Sequence, residues 1–220
     1  MKVDWTTFWP KIVVALGETI SMVLLTLVIA SIVGLAVGLL FFVTREGNIL
    51  ENKIVFTILN ILVNVIRPIP FIILLVAVSP MTRALVGTTV GTAAAVFPMS
   101  IAASFAIARV VENNLVSIDP GVIEAAQAMG ASPTKIVFTV LIPEALGPLI
   151  LGLTFITVAL IDFSAMAGTV GGGGLGAIAM SYGYQRFDTT VMVVTIVILI
   201  ILAQGAQFVG NFLSRFFLRR

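Results

Sequence analysis

Three side chains could handle a charge or a small molecule inside an otherwise apolar chain: Arg67, Asp162 and Met166. Arg67 falls in "VIRPIPFIILL", about 13 residues into a long apolar stretch and so roughly 20 Å along a helix. An arginine at mid-membrane costs about 2.5–3.5 kcal/mol on insertion scales, so it should face a bundle interior or an aqueous path. Asp162, in "ALIDFSAM", could pair with Arg67, meet a substrate's amino group, or simply reach the outer interface. An Arg67–Asp162 pair could also relay a proton or an ion. Met166 is flexible and apolar, suited either to core packing or to a constriction that closes by dewetting. Bond chemistry has little to work with. The chain contains neither histidine nor cysteine, which removes the usual general base, the commonest metal ligand and every thiolate. No Lys-Ser/Thr follows the run Gly171 to Gly174, and no G-x-x-x-x-G-K-[ST] occurs, so the chain carries no phosphate loop of that type. No metal, cofactor, nucleic-acid partner or enzymatic activity of its own is expected.

The elements that would position these residues are membrane spans. The 220 residues are 60% hydrophobic and 10% charged, with a mean hydropathy of +1.19, against about 25% charged in soluble domains. A span needs about 20 mainly apolar residues. Five stretches qualify, near 19–43, 54–79, 88–111, 138–163 and 189–214. The expected fold is therefore an all-α integral membrane protein with five transmembrane helices in one domain, 1–220. A cleavable signal peptide is not expected, because the early residues include Asp4 and Glu18 and the apolar run beyond them is far too long. The second stretch is interrupted by "RPIP". Broken helices at membrane depth occur where they are buried or line a cavity, and Arg67 either belongs to such a path or bonds the carbonyls that the prolines free. Gly34 and Gly38 form G-x-x-x-G in the first span, where close helix approach is expected. Glu18 is expected to meet water, Gln204 and Gln207 to bond between helices, and Gly171–Gly174 to form a re-entrant turn or a short outer helix.

Five spans place the termini on opposite sides. Arg45, Lys53, Arg109, Lys135, Arg215, Arg219 and Arg220 fall on one side, against Lys2, Lys11, Arg83 and Arg186 on the other. The positive-inside rule then puts the C-terminus and the 112–137 loop in the cytoplasm and the N-terminus outside.

That loop contains "DPGVIEAAQAMGASP". Asp119-Pro120 is a helix start, with an acceptor at the N-cap and a proline where no N–H is needed. Gly130 can end the helix in the left-handed conformation, and Ser132-Pro133 repeats the start signal. The helix between them carries one charge, Glu124, and a run of alanines. Val122, Ile123, Ala126 and Met129 could fill a partner's groove, or the helix could lie on its own membrane.

The stretch "EAAQAMGASPTKIVFTVLIP" resembles the E-A-A-x3-G-x9-I-x-L-P signature of ATP-binding-cassette importer permeases, with Glu124, Ala125, Ala126, Gly130 and Pro143 in register. Val140 and Ile142 replace the usual Ile and Leu. "RPIPFIILL", "RVVENNL", "FSAMAGTVGGGGLG" and "YGYQRFD" resemble the methionine-importer branch over essentially the whole chain. The resemblance implies that the loop is a cytoplasmic coupling helix between spans 3 and 4, docking into a separate ATPase. It also implies a bacterial inner-membrane homodimer served by two ATPase copies and by an extracytoplasmic binding protein or lipoprotein, with Met166 as a gate. Any regulatory domain is expected on the ATPase. Asp162 departs from that branch, which often has a small residue there, so the substrate stays open between methionine and another amino acid. The rival readings are an ion-coupled transporter using Arg67 and Asp162, and a scaffold subunit with no path.

Overall fold

The computed structural model describes residues 4–218, so Lys2, Arg219 and Arg220 of the charge count lie outside it. Every regular element among the described residues is a helix. Four helices are long and apolar enough to span a membrane: α1 (Trp5–Val43), α5 (Thr92–Val116), the run from α7 (Pro133–Ile136) into α8 (Ile142–Thr169), and α10 (Thr189–Leu218). The shorter helices are α2 (Lys53–Ile66), α3 (Phe71–Ala77), α4 (Ser79–Val86), α6 (Pro120–Ala128) and α9 (Gly174–Ile178).

The second apolar stretch is the break that "RPIP" predicts. Its two halves, α2 and α3, meet at 108°. Pro68 cannot donate to the helical ladder and its ring opposes a preceding carbonyl, and Pro70 supplies an extended residue (φ −55°, ψ 132°) from which α3 starts afresh.

Contacts at the two ends of the bundle show that this bent unit still crosses. At one end, Arg45 after α1 pairs with Glu112 near the end of α5 at 3.5 Å. There, too, Ser214 Oγ of α10 donates to the Gly147 carbonyl of α8 at 3.3 Å. At the other end, Gly91 N–H donates to the Gly171 carbonyl at 2.8 Å, and Gly174 N–H donates to Glu18 at 2.6 Å. The chain leaves α1 at the first end and enters α5 at the second, so α2–α4 must carry it across. The fold has five crossings, and its described termini lie at opposite ends.

α1 begins fourteen residues earlier than its apolar stretch (Trp5 rather than 19) and runs for 39 residues, about 58 Å. Asp4 caps it, accepting from the Thr6 amide at 3.0 Å and the Thr6 hydroxyl at 2.8 Å; these bonds hold its carboxyl below the ordinary carboxylate range. Phe8, Ile12 and Ala15 bury this N-terminal part in a small second core with Leu175 and Val191. Further along, Gly34 and Gly38 lie against α5 as the G-x-x-x-G spacing predicts. A Cβ at Gly34 would come within 2.6 Å of Ile107, and one at Gly38 within 2.7 Å of the Ala108 carbonyl.

Between α7 and α8 the ladder widens to a π turn over Val137–Leu141, where Ile142 N–H bonds the Val137 carbonyl. Pro143 follows at once. Its missing N–H and bulky ring displace the carbonyl four residues back, and a widened turn is a known way for a helix to absorb such a residue.

Candidate functional site

The loop between α5 and α8 is built from strictly local signals. Gly121 N–H donates to Asp119 Oδ1 at 2.8 Å, with Pro120 at the first helical position. At the far end Gly130 takes φ +75°. Its N–H bonds the Gln127 carbonyl at 2.9 Å, and Ala131 N–H bonds the Ala126 carbonyl at 3.1 Å. This is the paired closure that a left-handed glycine permits. Ser132 then caps α7, accepting from the Lys135 amide at 3.4 Å.

α6 presents two different faces. Ala126 is buried in the main core and Ile123 packs against it. Val122, Glu124, Ala125, Ala128 and Met129 are exposed, Met129 by 81%. The apolar group Val122, Ile123, Ala126 and Met129 is thus divided: two members hold α6 to its own bundle and two remain outward. Gly130 and Pro143 are exposed as well. Beside α6 runs an open cleft toward the α1–α2 loop, lined by Arg45, Glu46, Ile49, Ile118, Glu124 and Gln127.

Behind the cleft lies a charged knot that the composition did not single out. Glu112 is 5% exposed. It pairs with Arg109 at 3.0 Å and Arg45 at 3.5 Å. The Arg109 guanidinium sits 5.2 Å from the centre of the Phe41 ring and also donates to the Asn64 side chain. Asn64 in turn donates to Asn60 Oδ1 at 2.7 Å. One buried carboxylate therefore ties the end of α1, α5 and α2 together at the α6 end of the bundle. The Arg109/Glu112 spacing of three on a helix was the visible signal; the Arg45 and Asn64 links are long-range and left none.

The structure does not bring Arg67 and Asp162 together. Both are exposed, and neither side chain has a hydrogen-bond or ion-pair partner among the described residues. Arg67 is also not bonded to the carbonyls freed by its prolines. Asp162 and Met166 lie one turn apart on α8, and Met166 is 38% exposed. Phe163 beside Asp162 stacks on Phe71 of α3, with centroids 4.5 Å apart and planes 9° from parallel, so the broken span is seated directly against this part of α8.

At the opposite end, Gly171–Gly174 makes a tight turn into α9. Glu18 accepts from Gly174 N–H rather than meeting only water, and Thr19 Oγ accepts from Leu175 N–H at 2.9 Å. Gln204 and Gln207 are exposed, with no interhelical bond among the described residues.

Residues 30–220 match the family described as binding-protein-dependent transport system inner membrane component. A probable D-methionine transport system permease protein MetI from Vibrio cholerae is 42% identical over 201 residues, 91% of this chain and 89% of that one. The D-methionine transport system permease protein MetI of Escherichia coli K12 is 45% identical over 151 residues, 69% and 70% of the two chains. Among solved structures, the MetNI methionine ABC transporter in inward-facing conformations contains a chain that superposes with a TM-score of 0.95 at 42% identity, covering 98% of this chain and 99% of that one. An amino acid ABC transporter solved with histidines shares the fold at a TM-score of 0.80 and 19% identity, over 98% of this chain and 99% of that one.

Proposed function

Because the chain belongs to the binding-protein-dependent transport system inner-membrane component family, we propose that it is the permease of an ATP-driven methionine importer, acting as a single transmembrane domain in the bacterial inner membrane. The observation that carries the substrate is the 42% identity, over nine-tenths of the chain, to a permease named for D-methionine transport. The chain is a transport subunit, and ATP hydrolysis belongs to a separate subunit.

In this reading α6 is the contact through which the ATPase drives the permease. Its capped, exposed face offers Glu124 and Ala125 to a partner, while Ala126 fixes the helix to the bundle. Gly130 and Pro143 set the turn and the π segment that connect α6 to α8. The working unit is a homodimer with two ATPases, supplied by an extracytoplasmic binding protein. Met166 from each copy closes the path, and Arg67 and Asp162 border it. The α6 end faces the cytoplasm. The absence of an Arg67–Asp162 pair argues against an ion relay between them.

Reconstitution tests the proposal. The permease and its ATPase are placed in proteoliposomes with ATP inside and binding protein outside, and uptake of labelled D- and L-methionine is followed. Glu124→Arg places a longer side chain of opposite charge on the docking face, and Gly130→Val forces a β-branched residue to positive φ, a strain of about 1–3 kcal/mol. Both variants are expected to lose at least tenfold in ATP-dependent uptake and to weaken ATPase co-purification. Uptake independent of ATPase, or unchanged by both substitutions, would overturn the coupling role. Intact coupling without methionine uptake would overturn only the substrate.

A further inference from the structure

α2 is apolar by composition but not by face. Lys53, Thr57, Asn60, Asn64 and Arg67 follow one another at intervals of four, three, four and three, which on a helix of 3.6 residues per turn is a single stripe. Arg67 keeps helical dihedrals (φ −58°, ψ −41°) as the C-cap, so the stripe continues to the 108° bend. The face that runs from Ile54 and Ile61 beside the stripe round to Val65, Ile58 and Leu62 is apolar, and all five are exposed.

The stripe is charged in one sense only. Asn60 and Asn64 are hydrogen-bonded to each other, and Arg109 of α5 donates to Asn64, adding its cation to the same row. The one buried carboxylate nearby, Glu112, is already shared by Arg109 and Arg45. Glu51, before the helix, accepts from Gly47 N–H at 3.0 Å. Lys53 and Arg67 have no carboxylate against them among the described residues. A row of amides and cations on the first half of a crossing cannot rest against hydrocarbon, whereas the isoleucine face can.

From this we infer that the α2 stripe lines a water-filled half of the translocation path and gives it a positive lining that receives the carboxylate of the transported molecule. The inference rests on the permease reading but not on methionine as the substrate. Arg67 stands at its inner end, at the bend, and is a positioning group for an anionic moiety there.

The natural sequence has no cysteine, so single cysteines report cleanly. In the permease–ATPase complex in proteoliposomes, cysteines at Thr57, Asn60 and Asn64 are compared with cysteines at Ile58 and Leu62. Each is reacted with membrane-impermeant methanethiosulfonates, one anionic and one cationic. The stripe cysteines are expected to react at least tenfold faster than those on the apolar face. Relative to a free thiol, they should favour the anionic reagent. Arg67→Gln should shrink that preference roughly sevenfold at the Asn64 position, since one unit charge about 7 Å away in water alters the rate of each reagent roughly threefold and in opposite directions.

Equal reactivity of the two faces would overturn the path assignment. So would stripe cysteines that resist both reagents but cross-link between copies, which would mark a dry dimer seam. A preference for the cationic reagent would overturn the carboxylate assignment. None of these rates requires methionine to be carried, so failed uptake with a reactive stripe would count against the substrate alone.

Discussion

Glu112 is the only carboxylate that the fold buries among the described residues, and its two arginines differ in what they contribute. The Arg45 side chain is 46% exposed, so its pairing is screened and worth about 1 kcal/mol or less. Removing Glu112 instead leaves the mostly buried Arg109 without its counter-charge, a loss of about 3 kcal/mol or more. Glu112→Ala should therefore lower the thermal midpoint of the purified permease far more than Arg45→Ala. Scanning fluorimetry in one detergent decides this, and equal shifts would show that the knot does not depend on burial. At this scale the sequence was legible wherever a residue acts on its own neighbours. Asp119, Gly130 and Ser132 cap what their types say they should cap. Glu18 and Arg45 were not legible, because their partners lie 156 and 67 positions away.

Among the elements, α9 depends on a helix far from it in sequence. Its first two amides are satisfied by Glu18 and Thr19 of α1, and it packs there without room to spare: a Cβ at Gly174 would come within 2.6 Å of Thr19 Oγ. Glu18→Ala removes one cap acceptor, a loss of about 1 kcal/mol. Hydrogen exchange over 171–178 should quicken in that variant while exchange over 120–131 stays as it was. Unchanged exchange at the glycine turn would mean that the α1 contact does not hold it. Element boundaries were read well where proline and glycine punctuate the chain, as at "RPIP" and "DPGV". They were read poorly at the start of α1, where Glu18, Lys11 and Pro10 interrupt the apolar run but not the helix. The π turn before Pro143 left only the proline as a sign of itself.

The whole molecule leaves wide apolar surfaces uncovered. Only 11% of the most apolar window of α10 is buried within the chain, as suits a subunit surrounded by lipid and by other subunits. Its five crossings set a definite topology that labelling can test in intact cells. Cysteines at Asn48 and Ser117, near the α6 end, should react with an impermeant reagent only after permeabilisation. Cysteines at Thr88 and Gln185 should react at once. The reverse pattern would invert the molecule and overturn the proposed contact of α6 with an ATPase. The count of five was legible in the hydropathy, but the direction of the second crossing was not. A 108° bend is a tertiary outcome, set by where α3 finds Phe163 to stack on.

The length of α1 has a consequence for the outline of the protein. A straight rod of about 58 Å does not fit upright within a hydrocarbon slab of about 30 Å. Its N-terminal third is not free to lean at will, since Phe8, Ile12 and Ala15 are clamped beside α9 and α10. On the face away from α6, this clamped end of α1 carries Trp5 and Trp9, both exposed. Anything settling on that face meets two rings whose backing helix cannot swing aside, which limits the headings it can take before a single specific contact forms.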